Sequence, residues 1–461
     1  MEIVMRLRIK PVAIFVFLLT AILALSSCGS AKNVVSNQLG STEDFSRRQL
    51  SNGIPVIFRQ NQGSKIVVLH IIFESDGSSL DRNISGLESL TLDLMMRGSG
   101  KYPYSRIQQL EYEKSFSLSF SAGKDYSTAG FVCIQRDLAE VLDIFSDCIL
   151  RPSLSDQDFN QKMREASAAI ASRKSDPSGA LGMALLKSAF KNHPYEASTF
   201  ITEDSYPNMS LELARNLHEN LLDAMRMKIV IVGNFTDDLI DDFTSELDAK
   251  FGSVEKKSFS APKIPEIDVN YAQTVLVANE RAGETGYIAG VFKYPSRGSD
   301  DCIPLAVSLM YLDDLLFSQV REKAGAVYSI NSGIIGGKEL LGVISVYKAS
   351  EKRNLKNLIY DTILSFDEEN LERKLNQYKN RYISSIFSSS QTASGLASSV
   401  ISSLEYFGSE DAYLRRIETI ENLTSRQVID AYKKYVEPIA RQNAAQWIVV
   451  DSEKNLSEYD F

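Results

Sequence analysis

Histidine and cysteine, the side chains that most readily bind metals or react at neutral pH, are scarce in this 461-residue chain. Its three histidines, His70, His193 and His218, include no two at helical ligand spacing. They read as a strand residue, a loop residue and a satisfied or surface helix residue, and none reads as a ligand. Cys133, Cys148 and Cys302 match no metal-binding spacing; they read as buried free thiols, with one disulfide left open. Carboxylates are more plentiful, and one stands on "SGLESLTLDLMMRGSG" (Ser85 to Gly100). There Leu87, Leu90, Leu94 and Met95 mark one buried helical face, while Ser89, Leu92 and Asp93 supply a hydroxyl, a hydrocarbon and a single acid. One carboxylate is no zinc site, and leucine cannot take a proton from water. In the second half, Arg321 and Tyr328 of "LFSQVREKAGAVYSINSG" are donors of the kind that hold a peptide carbonyl or an oxyanion. Taken alone, such an Arg also suits a last helical turn, and such a Tyr a half-buried strand position.

The elements around these residues are of mixed type. "RRQLSNGIPVIFRQNQGSKIVVLHIIFESDGS" (from Arg47) reads as two strands joined by a turn, with Asn52-Gly53 and Gln62-Gly63 as turn chemistry. The Ser85 helix follows, then a helix from about Ser105, a hairpin through "FSLSFSAGKDYSTAGFVCIQ", and a helix over Leu138 to Leu150. Further helices are expected over 155–174, 178–191 and 210–222, and a strand at "MKIVIVGNF". Without strict βαβ alternation the class is α+β. The order then recurs: strand "GYIAGVFKYPS", helix "CIPLAVSLMYLDDLLFSQV", hairpin "AVYSINSGIIGGKELLGVISVYKA" and two helices. Asp147-Cys148-Ile149-Leu150 falls against Asp361-Thr362-Ile363-Leu364, so two units of about 200 residues arose by duplication. The charged stretch 252–270, with two prolines and little periodicity, is read as the linker between domains 47–251 and 271–461.

Composition narrows the partners. The net charge of −9 disfavours nucleic acid. Arg6, Arg8 and Lys10 precede an apolar run, Pro11 to Leu25, too short for a comfortable membrane span. Leu25-Ser26-Ser27-Cys28 resembles the lipobox of bacterial lipoproteins, implying a signal peptide over 1–27, lipidation of Cys28 and a tether over 28–46. The expected location is then the bacterial cell envelope, outside the cytoplasm, on a membrane through lipid. An ordinary secretory signal is the alternative.

"LSNGIPV", the helix followed by Gly98-Ser99, "NHPY" (Asn192 to Tyr195), "IVIVGNF" and above all "LFSQVREKAGAVYSINSG" resemble the M16 (pitrilysin/insulinase) peptidase family. The processing-peptidase-like subgroup of duplicated chains fits best, over residues 45–450. The resemblance implies two tandem LuxS/metallohydrolase-like domains, each an antiparallel-rich mixed sheet packed by helices. In active members a first-half helix carries His-x-x-Glu-His, two zinc ligands on one face with the base between them. With Gly86 and Gly98-Ser99 as anchors, Ser89 and Asp93 fall at the histidine positions and Leu92 at the base. With Asp176-Pro177 as anchor, Ala168 and Ala169 stand where a third ligand, a glutamate, is expected. No cofactor is therefore expected in this chain. In heterodimeric members one chain holds the metal and the other an Arg/Tyr pair; Arg321, just past a helix end, and Tyr328, starting a strand, match that pair. The implied function is a non-catalytic subunit of a zinc endopeptidase acting on peptides or unfolded segments, with zinc in a partner chain. The alternative is an inactive pseudo-peptidase, a scaffold or peptide-binding lipoprotein.

Overall fold

The structure, a computed structural model, describes residues 39–461 apart from Ala272. Cys28, the signal segment and most of the expected tether lie outside the described residues. The end of that tether stretch is packed: Leu39 is buried against Ile386, Ile417 and Ile420. Its carbonyl accepts from Arg59 Nη2 at 2.6 Å. A core place for one apolar side chain outweighs the polar composition around it.

Six strands form the first sheet: β1 (Phe45–Gln49), β2 (Pro55–Gln60), β3 (Ile66–Glu74), β4 (Ser117–Ser121), β5 (Tyr126–Ile134) and β6 (Met227–Gly233). Their spatial order is β1-β2-β6-β3-β5-β4. The expected pair of strands before the first helix is thus three, and only the Asn52-Gly53 turn closes a hairpin, β1 to β2. Across the Gln62-Gly63 turn β2 and β3 do not pair, because β6 lies between them, parallel to β2 and antiparallel to β3. Turn chemistry reports a reversal of the chain but is blind to a strand arriving from a distant part of the sequence.

The second sheet, β7 (Val275–Ala278), β8 (Gly286–Lys293), β9 (Val327–Gly336), β10 (Leu340–Ala349) and β11 (Gln446–Asp451), has the order β7-β11-β8-β10-β9. The pairing β7–β11 is parallel and the rest are antiparallel, as in the run β2-β6-β3-β5-β4. Every strand of the second sheet therefore has a counterpart in the first. The first has one strand more, β1.

First-half helices are α1 (Leu87–Met95), α2 (Tyr104–Lys114), α3 (Leu138–Leu150), α4 (Asp156–Ser175), α5 (Pro177–Ala189), α6 (Leu211–Leu221) and α7 (Asp237–Phe251). In the second half follow α8 (Cys302–Leu316), α9 (Leu355–Leu364), α10 (Glu368–Ser389), α11 (Ala393–Phe407), α12 (Ala412–Glu421), α13 (Ser425–Tyr435), α14 (Glu437–Arg441) and α15 (Glu453–Leu456). Asp176 ends α4 and caps α5, accepting from Gly179 N at 2.7 Å, while Pro177 opens α5 with its φ already set.

The halves exchange helices. Leu181 and Ala189 of α5 pack on Ala289, Val291, Leu341, Val343 and Ile448 of the second sheet. In return Leu396, Ala397, Val400 and Ile401 of α11 pack on Val68, Ile72, Val230 and Val232 of the first. Each buried Leu, Ile or Val is worth about 1.5–3 kcal/mol, so neither sheet face stays exposed at small cost. Lys228 of β6 ties the crossing, reaching Glu74 at 2.9 Å and Glu405 of α11 at 2.8 Å.

Candidate functional site

Helix α1 starts at Gly86, whose φ of +84° admits few other residues. A Cβ there would stand 2.1 Å from the Ile201 backbone nitrogen, so the helix start is pressed against the 200–201 segment. From there Leu87, Leu90, Leu94 and Met95 enter the first core as the spacing predicts. Leu92, the residue expected at the base position, goes with them and is 1% exposed. Ser89 and Asp93, one turn apart, share the half-buried side of the helix. Facing them is α4, where Ala168 is exposed and Ala169 half-buried.

What meets Asp93 is an amine. Lys162 Nζ of α4 lies 3.0 Å from Asp93 Oδ2 and 3.2 Å from Glu165 Oε2. Arg97, just beyond α1, stands 3.5 Å from Glu165 on the other side. Burial lowers the Lys162 pKa, but Asp93 and Glu165 raise it further than burial lowers it, so the ammonium stays charged. The Glu165 carboxyl is held below its ordinary range by Gln161's hydrogen bond, with Lys162 and Arg97 adding their charge. An ammonium thus pairs with Asp93, the one acid among the residues expected at the metal positions. The sequence reading missed Lys162 because nothing in "DQDFNQKMREASAAIASR" marks it apart from any other surface lysine.

The residues present do not fit zinc. A hydroxyl, a hydrocarbon, an acid bound to an ammonium, and a methyl group provide no ligand set. Among the described residues no three of His, Cys, Asp and Glu group closely enough to hold a metal. The histidines are dispersed. His193 Nε2 donates to the Pro265 carbonyl at 2.9 Å, and its Nδ1 accepts from Tyr195 N. His218, buried on α6, donates to the Ile149 carbonyl at 2.7 Å. His70 in β3 faces α11, and burial pushes its pKa down to about 4. Burial also pushes the free thiols Cys133 and Cys148 up to about 12; Cys302 is free and half-buried.

In the second half α8 does not stop where a helix end was expected. It runs on through a π-helical turn, Phe317–Lys323, and Arg321 sits in that turn rather than past it. Wider turns of this kind cluster at functional sites. The Arg321 guanidinium lies over the Phe317 ring, 4.8 Å from its centroid. Gly325, with φ of +60° and open space around it, then turns the chain into β9. Tyr328, second residue of that strand, is 68% exposed, and Lys348 Nζ stands 5.9 Å from its ring. β9 is a sheet edge, and of its backbone groups Ser332 N already donates to Asp313 Oδ1 of α8 at 2.5 Å.

Sequence models of one family cover most of both halves: "Insulinase (Peptidase family M16)" matches residues 56–203, and "Peptidase M16 inactive domain" matches 208–382. The chain belongs to the M16 peptidase family. Among curated relatives, an uncharacterized zinc protease of Mycobacterium leprae is 24% identical over 224 residues, 47% of this chain and 49% of that protein. A protein named the non-peptidase homolog YmxG, from Helicobacter pylori, is 19% identical over 181 residues, 39% of this chain and 42% of that one. This M16 chain thus spans just under half the length of the curated relatives it matches. Solved structures share the fold over nearly the whole described chain. A peptidase M16 inactive domain from Pseudomonas fluorescens has a TM-score of 0.77 at 16% identity, covering 88% of this chain and 98% of that one. The periplasmic protease PqqL of Escherichia coli has a TM-score of 0.74 at 14% identity, covering 89% and 46%.

Proposed function

We propose that this M16 chain is a non-catalytic subunit that lends Arg321 and Tyr328 to a zinc endopeptidase whose metal and base reside in a partner chain. The observation that carries the reading is the contrast between its halves. The first has an ammonium seated on the lone acid of its metal position. The second presents an exposed phenol and a guanidinium steadied on an aromatic ring beside the edge strand of its sheet. A peptide lying along β9 would gain backbone hydrogen bonds blind to its sequence, suiting unfolded segments. The two donors would hold its carbonyl and the oxyanion that hydrolysis develops there. The N-terminal lipid, if added at Cys28, would place this assembly on a membrane outside the cytoplasm.

A second reading, an inactive pseudo-peptidase acting as scaffold or peptide-binding module, is favoured by the relative named a non-peptidase homolog. One experiment separates the two. The purified chain alone should bind no stoichiometric zinc and cut no peptide. Mixed with a zinc-bearing M16 chain that co-purifies with it, it should support turnover, and Arg321→Ala or Tyr328→Phe should lower that turnover by about 10²–10³. Unchanged turnover with the assembly intact leaves the pair structural and the scaffold reading standing.

A further inference from the structure

The two sheets repeat each other strand for strand except at one edge. In the first, β2 is covered on its outer side by β1, antiparallel to it, with Phe45 paired to Arg59 and Gln49 to Pro55. The strand equivalent to β2 in the second sheet is β7, and nothing described pairs with its outer side. No backbone hydrogen bond from outside the sheet reaches Val275 to Ala278 among the described residues. The strand is short and wholly apolar, and Leu276 is 50% exposed. Unpaired apolar edges of this kind recruit another strand.

Val277 and Ala278 line a cleft of about 700 Å³ together with residues of the 198–204 stretch. Met183 and Ala184 of α5 line it too. A strand added to β7 would lie about 4.8 Å from it, and the cleft shares Val277 and Ala278 with that strand. The α5 lining repeats the first-half arrangement. There Phe45 of β1 packs on the layer formed by α11, the helix received from the other half, as α5 is here.

We infer that the β7 edge and its cleft form a docking site for an extended peptide segment, laid antiparallel to β7 with one apolar side chain seated on Met183. The rim carries Arg82, Lys174 and Lys187 against Glu196, Glu203 and Asp204, so its charges balance. Backbone pairing and one apolar contact select the segment, and net charge does not. The site is separate from the Arg321/Tyr328 edge β9, at the opposite end of the sheet order, and does not depend on that reading.

The test uses the full chain and a labelled synthetic peptide copying residues 43–51, the segment that this fold already seats at the equivalent edge. Saturable binding is expected, with slowed amide exchange at residues 275–278. Methylating the backbone nitrogens at alternate positions should abolish binding in one phase and spare it in the other. Met183→Arg should weaken binding about tenfold or more. Leu276→Thr, a milder change on the exposed strand, serves if Met183→Arg fails to fold and should also weaken binding. No saturable binding, or protection appearing at β2, β4 or β9 in place of β7, overturns the proposal. Binding indifferent to both substitutions overturns it as well.

Discussion

Acidification should destabilise this protein well before its carboxylates protonate, and His70 should be a main cause. The ring lies on the face of β3 that α11 covers, between Val68 and Ile72. Its Nδ1 is buried without a partner, and Gly130 across the strand pair leaves the room it fills: a Cβ there would stand 2.3 Å from that nitrogen. Burial holds the folded pKa near 4, against an ordinary value of 6.5. The unfolded chain therefore takes up the proton first, so stability is full above pH 6.5 and falls as pH drops toward 4. The gap corresponds to about 3 kcal/mol at most, and about 2 once the ring's contact with a neighbouring cavity is allowed for. His218 acts in the same direction, since burial lowers its pKa too. The difference between wild type and His70→Gln isolates the first ring. Urea unfolding from pH 7.5 to 4.5 should show the wild type losing about 2 kcal/mol more than the variant. Carbon-13 NMR of the three histidines should place one titration near 4. Parallel pH profiles for the two proteins, or three histidines titrating together near 6.5, would refute the reasoning.

Other outcomes follow from single contacts. Gly86→Ala, which forces a Cβ against the Ile201 backbone at a positive φ, should cost about 3 kcal/mol or more and lower the thermal midpoint by several degrees. A Ser89→His/Asp93→His variant places two imidazoles one turn apart. It should still bind zinc poorly until Lys162→Ala removes the ammonium, which should tighten binding about tenfold or more in a chelator competition. Equal affinity with and without Lys162 would show that the amine does not oppose a cation there. Cys133 and Cys148, neutral and buried, should resist a thiol reagent at pH 8 in the native protein and react on unfolding.

Much of the architecture was legible in order along the chain. The bounds of α3 were read without error because its apolar face has the helical period throughout. The repeat was legible because both halves kept the same succession of elements. The nonpolar character of Leu92 was equally plain, and a leucine cannot take a proton from water wherever the helix lies. In the candidate site, residue types decided what could not happen.

The rest depended on residues far apart in sequence. That β6 would part β2 from β3, and that α5 and α11 would each cover the other half's sheet, follows from which apolar surfaces fit once the chain is compact. Periodicity describes a face but never its partner. That Lys162 would sit on Asp93, that Leu39 would be buried at the end of a polar stretch, and that β7, among the described residues, would lack the neighbour β2 has are likewise facts of assembly. Local preferences act over a few residues, whereas pairing between strands and between charges is settled by what the folded chain brings within reach.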